Sequence, residues 1–351
     1  MLLPLPRGPL SALVVDTLRA ADPRAEVPAV HAVSVPTAPD PVAHDDLQLA
    51  LWTLFELHYR GFDEVSDDWE WHPDLVALRR RLEDVFLAAL REQVPVLPAD
   101  GAAVPQRLRA TVEADDGPSL SRVVQVDADR AQFAEWAVHK SIYQLKEADP
   151  HTWGIPRFAG KVKAALVQVQ VDEYGGGRVE RIHAELFRKT LRSLDLDDSY
   201  GAYVDAVPGV TLAMSNLMSL FGLRRSLRGA LLGHLAAYEM TSSEPCRRYG
   251  RGMRRLGGDQ AACDFFDEHV TADALHEQVA AHDLCGTFAE QEPALADDVV
   301  FGAAACLYLD ARFAHHVLDA WAADRTSLRA PAAVDVVGTA RDDLLRTRRA
   351  A

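Results

Sequence analysis

Beyond residue 44, apolar side chains recur at three- and four-residue spacing through most of the chain, the period of helices that bury one face. The run LQLALWTLFELHYRGF carries this pattern from just after Asp45 to a close at Gly61, and WHPDLVALRRRLEDVFLAALREQV repeats it, so the two predict a helical hairpin. Residues 1–44 behave differently. Prolines in VPAVHAVSVPTAPDPVAH break any sustained period, which predicts an extended arm. Residues 95–128 are turn-rich and are expected to connect the two halves with one short helix at most. Further helices are expected at 129–149, 156–174, 178–194, 199–206, 209–221, 223–243, 246–256, 259–283, 293–323 and 333–348. With no internal repeat and no strand–helix alternation around a glycine fingerprint, the pattern predicts an all-α bundle. Its expected parts are a proline-rich arm (1–44), a hairpin with its connector (45–128) and a main helical domain (129–351).

Charge narrows the partners. Acidic residues outnumber basic ones by 52 to 37, a formal charge of −15 that repels nucleic acid and anionic lipid, so neither is expected as a partner. Four cysteines without a CxxC pair are too sparse to staple 351 residues, which points to a reducing, cytoplasmic setting. The opening MLLPLPRGPLSALVVDTLRA lacks a clear charged region and cleavage site, and no stretch reaches the roughly 18 apolar residues of a membrane span.

Candidate chemistry begins in FFDEHVTADALHEQ. Positions i, i+4 and i+7 of a helix fall within a band about 60° wide, so His269, Asp273 and His276 are neighbours there and offer nitrogen and oxygen donors to a transition metal; the bland alternative is a solvated polar stripe. Glu239 lies in the largely apolar LLGHLAAYEM, where a lone buried carboxylate is costly without a partner. Glu173 ends an apolar run, and His183 follows across Gly175–Gly177, a break that lets two side chains ten residues apart face one interior. Glu180 competes with Glu173, because Glu180 and His183 form a Glu-x-x-His step. Glu147, just before Pro150, is either a further ligand or a simple helix stop. Three histidines and four carboxylates are too many for one ion. They suit two irons sharing carboxylates with positions open for O2, and the lack of thiolate spacing argues against a zinc-finger site.

The stretches KEADPHTWGIPR, VQVDEYGGGRVERIHAELF, LMSLFGLRRSLRGALLGHLAAYEMTSSEP and FDEHVTADALHEQVAAHD resemble the haem-oxygenase-like di-iron oxidases, also called iron-containing redox enzymes, across roughly residues 130–325. The resemblance implies a seven-helix fold holding two irons in place of haem, here with an N-terminal helical extension. It implies Glu173, Glu239 and His269 on one iron, His183, Asp273 and His276 on the other, and Glu147 as the extra carboxylate of an N-oxygenating branch. The helix from His269 to His276 is then ordered by metal.

Such enzymes activate O2 through a peroxide bridging two ferric ions. Glu147 and the DEYGGG block favour N-oxygenation of a small amine or amino-acid-derived substrate, with an external electron donor. Desaturation, decarboxylation or carbon–carbon cleavage is the alternative outcome, and a homodimer is expected. Arg224, Arg225 and Arg228 are candidates to clamp a substrate carboxylate, though such a run is more often a solvated helix face. Tyr174, Tyr238 and Trp153 are either donors that orient ligands or core, and His151, His234, His282 and the four cysteines read as structural. The rival readings are a non-catalytic or haem-binding helical protein, a thiaminase-like hydrolase with a nucleophilic cysteine, and a ferritin-like protein.

Overall fold

Helix starts in the second half are written locally: Asp129 accepts from the Gln132 amide while the Gln132 side chain accepts from the Asp129 N–H, a capping box that begins the Arg130–Gln144 helix. The computed structural model describes residues 1–329 except 21, 35–38 and 100, and describes the backbone but not the side chains of residues 20 and 271–275. Among the described residues there is no strand, and no helix is long and apolar enough to cross a membrane. The architecture is all-α, as the apolar period predicts.

The main body is built from helices Arg130–Gln144, Gly160–Glu173, His183–Ser193, Gly209–Leu223, Arg228–Thr241, Ser243–Arg255, Gln260–Gln278 and Ala296–Ala322. Two of these, Arg228–Thr241 and Ala296–Ala322, cross at very short range. A Cβ at Gly233 would overlap the Val299 carbonyl, and one at Gly302 would overlap the Ala230 carbonyl, so the crossing depends on two absent side chains. Around it Leu166, Val169, Leu232, Ala236, Val299 and Ala303 form a buried cluster. His183–Ser193 and Ser243–Arg255 flank Gln260–Gln278, which continues into a wider-turned segment, Val279–Gly286, instead of running unbroken to residue 283.

Three expectations are corrected. Within residues 1–44, Pro9–Ala20 forms a helix whose Leu10, Val14, Val15 and Leu18 are buried. Its N-terminus is capped from a distance by Asp46, which accepts from Leu10 N at 2.9 Å and Ser11 N at 2.7 Å, so the start signal lies outside the local sequence. The connector holds two helices, Val104–Glu113 and Leu120–Val126, each stabilised by burying apolar residues such as Leu108 and Val124 against later elements. Residues 199–206 form turns ending in a single tight turn, Val204–Ala206. The helix expected at 333–348 lies outside the described residues.

The expected hairpin helices occupy Asp45–Glu56 and Pro73–Gln93. Asp45–Glu56 is sandwiched between Pro9–Ala20 and Gly209–Leu223 and is almost wholly buried. From its last residue, Glu56 accepts from Lys146 Nζ at 2.8 Å and from the Tyr200 hydroxyl at 2.6 Å. Both charged side chains are sealed from water, at 1% and 0% exposure, and the Lys146 ammonium lies 4.5 Å from the Tyr59 ring centre. This network pins the turn that follows Arg130–Gln144, and the next residue in that turn is Glu147.

Candidate metal centre

Four segments deliver polar side chains to one interior volume. Glu147 comes from the pinned turn, Glu173 is the last residue of Gly160–Glu173, His183 the first of His183–Ser193, and His269 projects from Gln260–Gln278. Gly175, Gly176 and Gly177 take φ of 63°, 62° and 78°, left-handed values that suit glycine. They turn the chain back sharply, so that Glu173 Oε2 lies 3.0 Å from His183 Nδ1. A Cβ on Gly175 would stand 2.6 Å from Ile182 N, which makes the turn's tightness a requirement for glycine.

Ligand atoms of Glu147, His183 and His269 lie within 4.8 Å of one another. Donors bound at about 2.1 Å to one ion sit roughly 3–4 Å apart, so an ion would need only small side-chain movements to be held by this cluster. His269 Nδ1 is 2.8 Å from the Phe265 carbonyl, a contact that as a donor bond leaves Nε2 facing Glu147 Oε2 at 3.7 Å. One ring nitrogen is thus held by the fold and the other is presented, the arrangement of a metal-ligating imidazole. The His183 and His269 ring centres are 4.4 Å apart.

The cluster is incompletely hydrogen-bonded. Among the described residues, both ring nitrogens of His183, Glu173 Oε2 and His276 Nδ1 are buried without an aligned partner. Burial disfavours a charged Glu173, but the adjacent His183 overrides it and holds the carboxyl well below its usual range. Burial likewise opposes protonation of His183 and His269, yet Glu173 raises the first, and Cys246 and Glu147 raise the second. Buried oxygen and nitrogen donors facing each other without alignment are what a cation-binding site presents before loading. The donor set fits iron.

His276 stands one step away. Its Nδ1 is 3.2 Å from Glu239 Oε2 and its Nε2 is 2.8 Å from Asp172 Oδ2. Burial lowers its basicity, and the two carboxylates then raise its pKa to about 9. The pairing differs from the one implied by resemblance: Glu239 faces His276 in place of His269, and Glu173 faces His183. The Asp273 side chain lies outside the described residues. Glu180 is exposed in the Val179–Arg181 turn, so Glu173 is the carboxylate the fold brings to His183.

A cavity of about 260 Å³ reaches the cluster, with Glu147, Glu173, Glu239 and His269 among its lining residues. Sequence reasoning missed several neighbours because tertiary contacts place them. The Gln144 amide nitrogen reaches both Glu147 oxygens at 2.8 and 2.9 Å while its carbonyl accepts from the Tyr143 hydroxyl at 2.9 Å. Cys246 and Cys306, read as inert packing, are indeed buried but line this cavity. Tyr238 also lines it, whereas Tyr174 donates to Asp149 at 2.8 Å and so holds no ligand carboxylate. His151 and His234 form a buried pair at 3.2 Å, and burial pushes His151 down to about 4. The arginine cluster is employed elsewhere: Arg224 pairs with Glu83 and Asp84, Arg228 with Glu292, and none of Arg224, Arg225 and Arg228 lines the cavity.

A family model described as iron-containing redox enzyme matches residues 134–311. Nitrosourea synthase of Streptomyces achromogenes subsp. streptozoticus is 27% identical over 162 residues, 46% of this chain and 34% of that protein. The chain therefore aligns with about a third of that curated relative's length.

Proposed function

This chain belongs to the iron-containing redox enzyme family, and on that premise we propose that it is an O2-dependent non-haem di-iron oxygenase that N-oxygenates a small amine or an amino-acid-derived compound. The single observation that carries the metal reading is the convergence of Glu147, His183 and His269 within 4.8 Å in the interior, with both ring nitrogens of His183 buried and without a hydrogen-bond partner. Glu147, Glu173, His183 and His269 would hold one side of the centre, Glu239 and His276 the other, with Asp273 completing the set. Bound iron would supply the electron transfer to O2 that no side chain performs.

The chain's own residues do the rest. Gln144 holds both oxygens of Glu147 in place. Asp172 engages His276 Nε2 and leaves Nδ1 turned toward Glu239, which fixes the imidazole's orientation. Trp136, Phe265 and Phe266 wall the cavity with apolar surface that keeps water from the reacting nitrogen. The net change is RNH2 + O2 + 2e− + 2H+ → RNHOH + H2O, its electrons coming from an external donor. N-oxygenation is favoured because the named product of the relative, a nitrosourea, contains oxidised nitrogen. The hard nitrogen and oxygen donors suit Fe(II).

The test is anaerobic loading of the full chain with Fe(II), counting of bound ions, and exposure to O2 with a panel of amines. Two irons per chain, amine-stimulated O2 consumption and a product 16 mass units heavier are expected, and His276→Ala should abolish the consumption. A purified protein that carries haem with a Soret band, or a variant that consumes O2 normally, refutes the reading.

A further inference from the structure

Part of the cavity wall comes from outside the family-matched region. The match covers residues 134–311, yet Asp115, Gly117, Pro118 and Ser119 line the same cavity as Glu147 and His269. These four residues belong to the stretch that joins the helices Val104–Glu113 and Leu120–Val126. Asp115 and Ser119 are exposed as well as lining the cavity, so the stretch is a wall a single backbone thick with solvent on its outer side.

Both flanks of this wall are anchored. On one side Leu108 and Thr111 are buried, and on the other Leu120 and Val124. The helix Leu120–Val126 lies hard against Ser243–Arg255: a Cβ on Gly252 would stand 2.7 Å from the Val124 carbonyl oxygen, and Arg255 Nε donates to the Gln125 carbonyl at 2.8 Å. Between the anchors the backbone bonds are local, Asp115 N to the Val112 carbonyl and Gly117 N to Asp115 Oδ1, each at 3.2 Å. The wall meets the main body where Arg248 Nη1 donates to Ser119 Oγ at 2.9 Å, and where Gly117 abuts Ala311. A methyl group on Gly117 would stand 2.8 Å from Ala311 Cβ. Arg248 is aimed by Glu244 at 3.1 Å, and its side chain is 28% exposed. Water can replace a hydrogen bond so placed, which makes it weak.

We propose that residues 115–119 form a gate over the cavity, which lifts away from Ala311 when the Arg248–Ser119 bond breaks and so admits small molecules. Gly117 is the contact edge. With no side chain it closes onto Ala311, and a methyl group there would hold the gate ajar without straining the backbone, because Gly117 does not take a left-handed φ. Arg248 is the clasp. Size selection at the entrance then resides in a segment that the family match does not include. The assignment concerns the cavity and stands whether or not the neighbouring carboxylates and imidazoles hold iron.

The test uses the chain's own thiols. Cys246 and Cys306 are buried and line the cavity, whereas Cys263 and Cys285 are buried away from it. The full chain, both Mn(II)-loaded and stripped by chelator, is treated with iodoacetamide, and labelling of each cysteine is followed by peptide mass spectrometry. Arg248→Ala should speed labelling of Cys306 and Cys246 about fivefold, and Gly117→Ala roughly tenfold or more, with Cys263 and Cys285 unchanged. Adding Ala311→Gly to Gly117→Ala should restore the parent's rate, since it removes the atom that the new methyl group meets. The gate is overturned if neither variant changes the labelling, if all four cysteines speed up equally, or if the double variant labels as fast as Gly117→Ala. Arg248 and Gly117 act through different contacts, so either variant decides the matter where the other fails to fold. Failure of the parent to bind Mn(II) would refute the metal reading and leave the labelling result intact.

Discussion

Lys146 and Glu147 are adjacent in sequence and enter two buried polar clusters of opposite character. Lys146, Glu56 and Tyr200 form a closed set, with contacts of 2.8 and 2.6 Å and no exposure to speak of. Glu147, Glu173, His183 and His269 also come together in the interior, but at 3.0 to 4.8 Å and with several buried atoms short of an aligned partner. Both clusters remove charge from water, which is costly. The first recovers that cost within the protein, and on the proposed reading the second would do so only with an added ion. Completeness of hydrogen bonding, more than burial or charge, separates the polar cluster that holds the fold from the one proposed to serve chemistry.

The largest effect that would break this contrast is on stability. Lys146→Met should cost about 3–5 kcal/mol in denaturant unfolding by leaving the buried Glu56 without its cation, and Glu56→Leu added to it should recover much of the loss. A cost under about 1 kcal/mol would mean that the closed cluster is not structural. Next, Fe(II) or Mn(II) at 100 times its dissociation constant should stabilise the parent by about 2.7 kcal/mol, reversibly with a chelator, and His183→Ala should lose that gain without losing the fold. Asp172→Asn should weaken metal binding roughly 10- to 100-fold, read by metal titration, through the imidazole it orients.

The smallest effect is a proton count. His276, raised to about 9, contributes stability that is complete below the ordinary histidine range near 6.5 and is lost as pH rises through 9. A metal needs the neutral ring, so loading at pH 7 should release protons and the apo protein alone should weaken between pH 7 and 9. Calorimetry in two buffers of different ionisation enthalpy, with thermal melts across pH, checks this. Equal enthalpies in both buffers would place the imidazole off the metal.

How far the sequence foretold the molecule follows the reach of each signal. Helices such as Arg130–Gln144 carry their caps within three residues and were legible. Pro9–Ala20 was not, because its cap is Asp46, far along the chain. The same division runs through the site. His269 and His276 share a helix edge, and Glu173 and His183 flank a glycine turn, so residue type and spacing pointed to them. Asp172 on His276 joins residues 104 positions apart and has no local signature. Two arginines of LRRSLRGALLGH, Arg224 and Arg228, had a strong local signature and another destination, since Glu83, Asp84 and Glu292 claim them.

The turn at Gly175–Gly177 acts as a gauge block for the site. A methyl group on the first of these residues would press on the backbone at Arg181 and Ile182 and prise apart the two helix ends that bring Glu173 to His183. The spacing of the donors is thus calibrated by hydrogen atoms where other residues carry carbon, and a redesign of the centre for a larger or smaller ion would begin at that turn, leaving the ligands as they are.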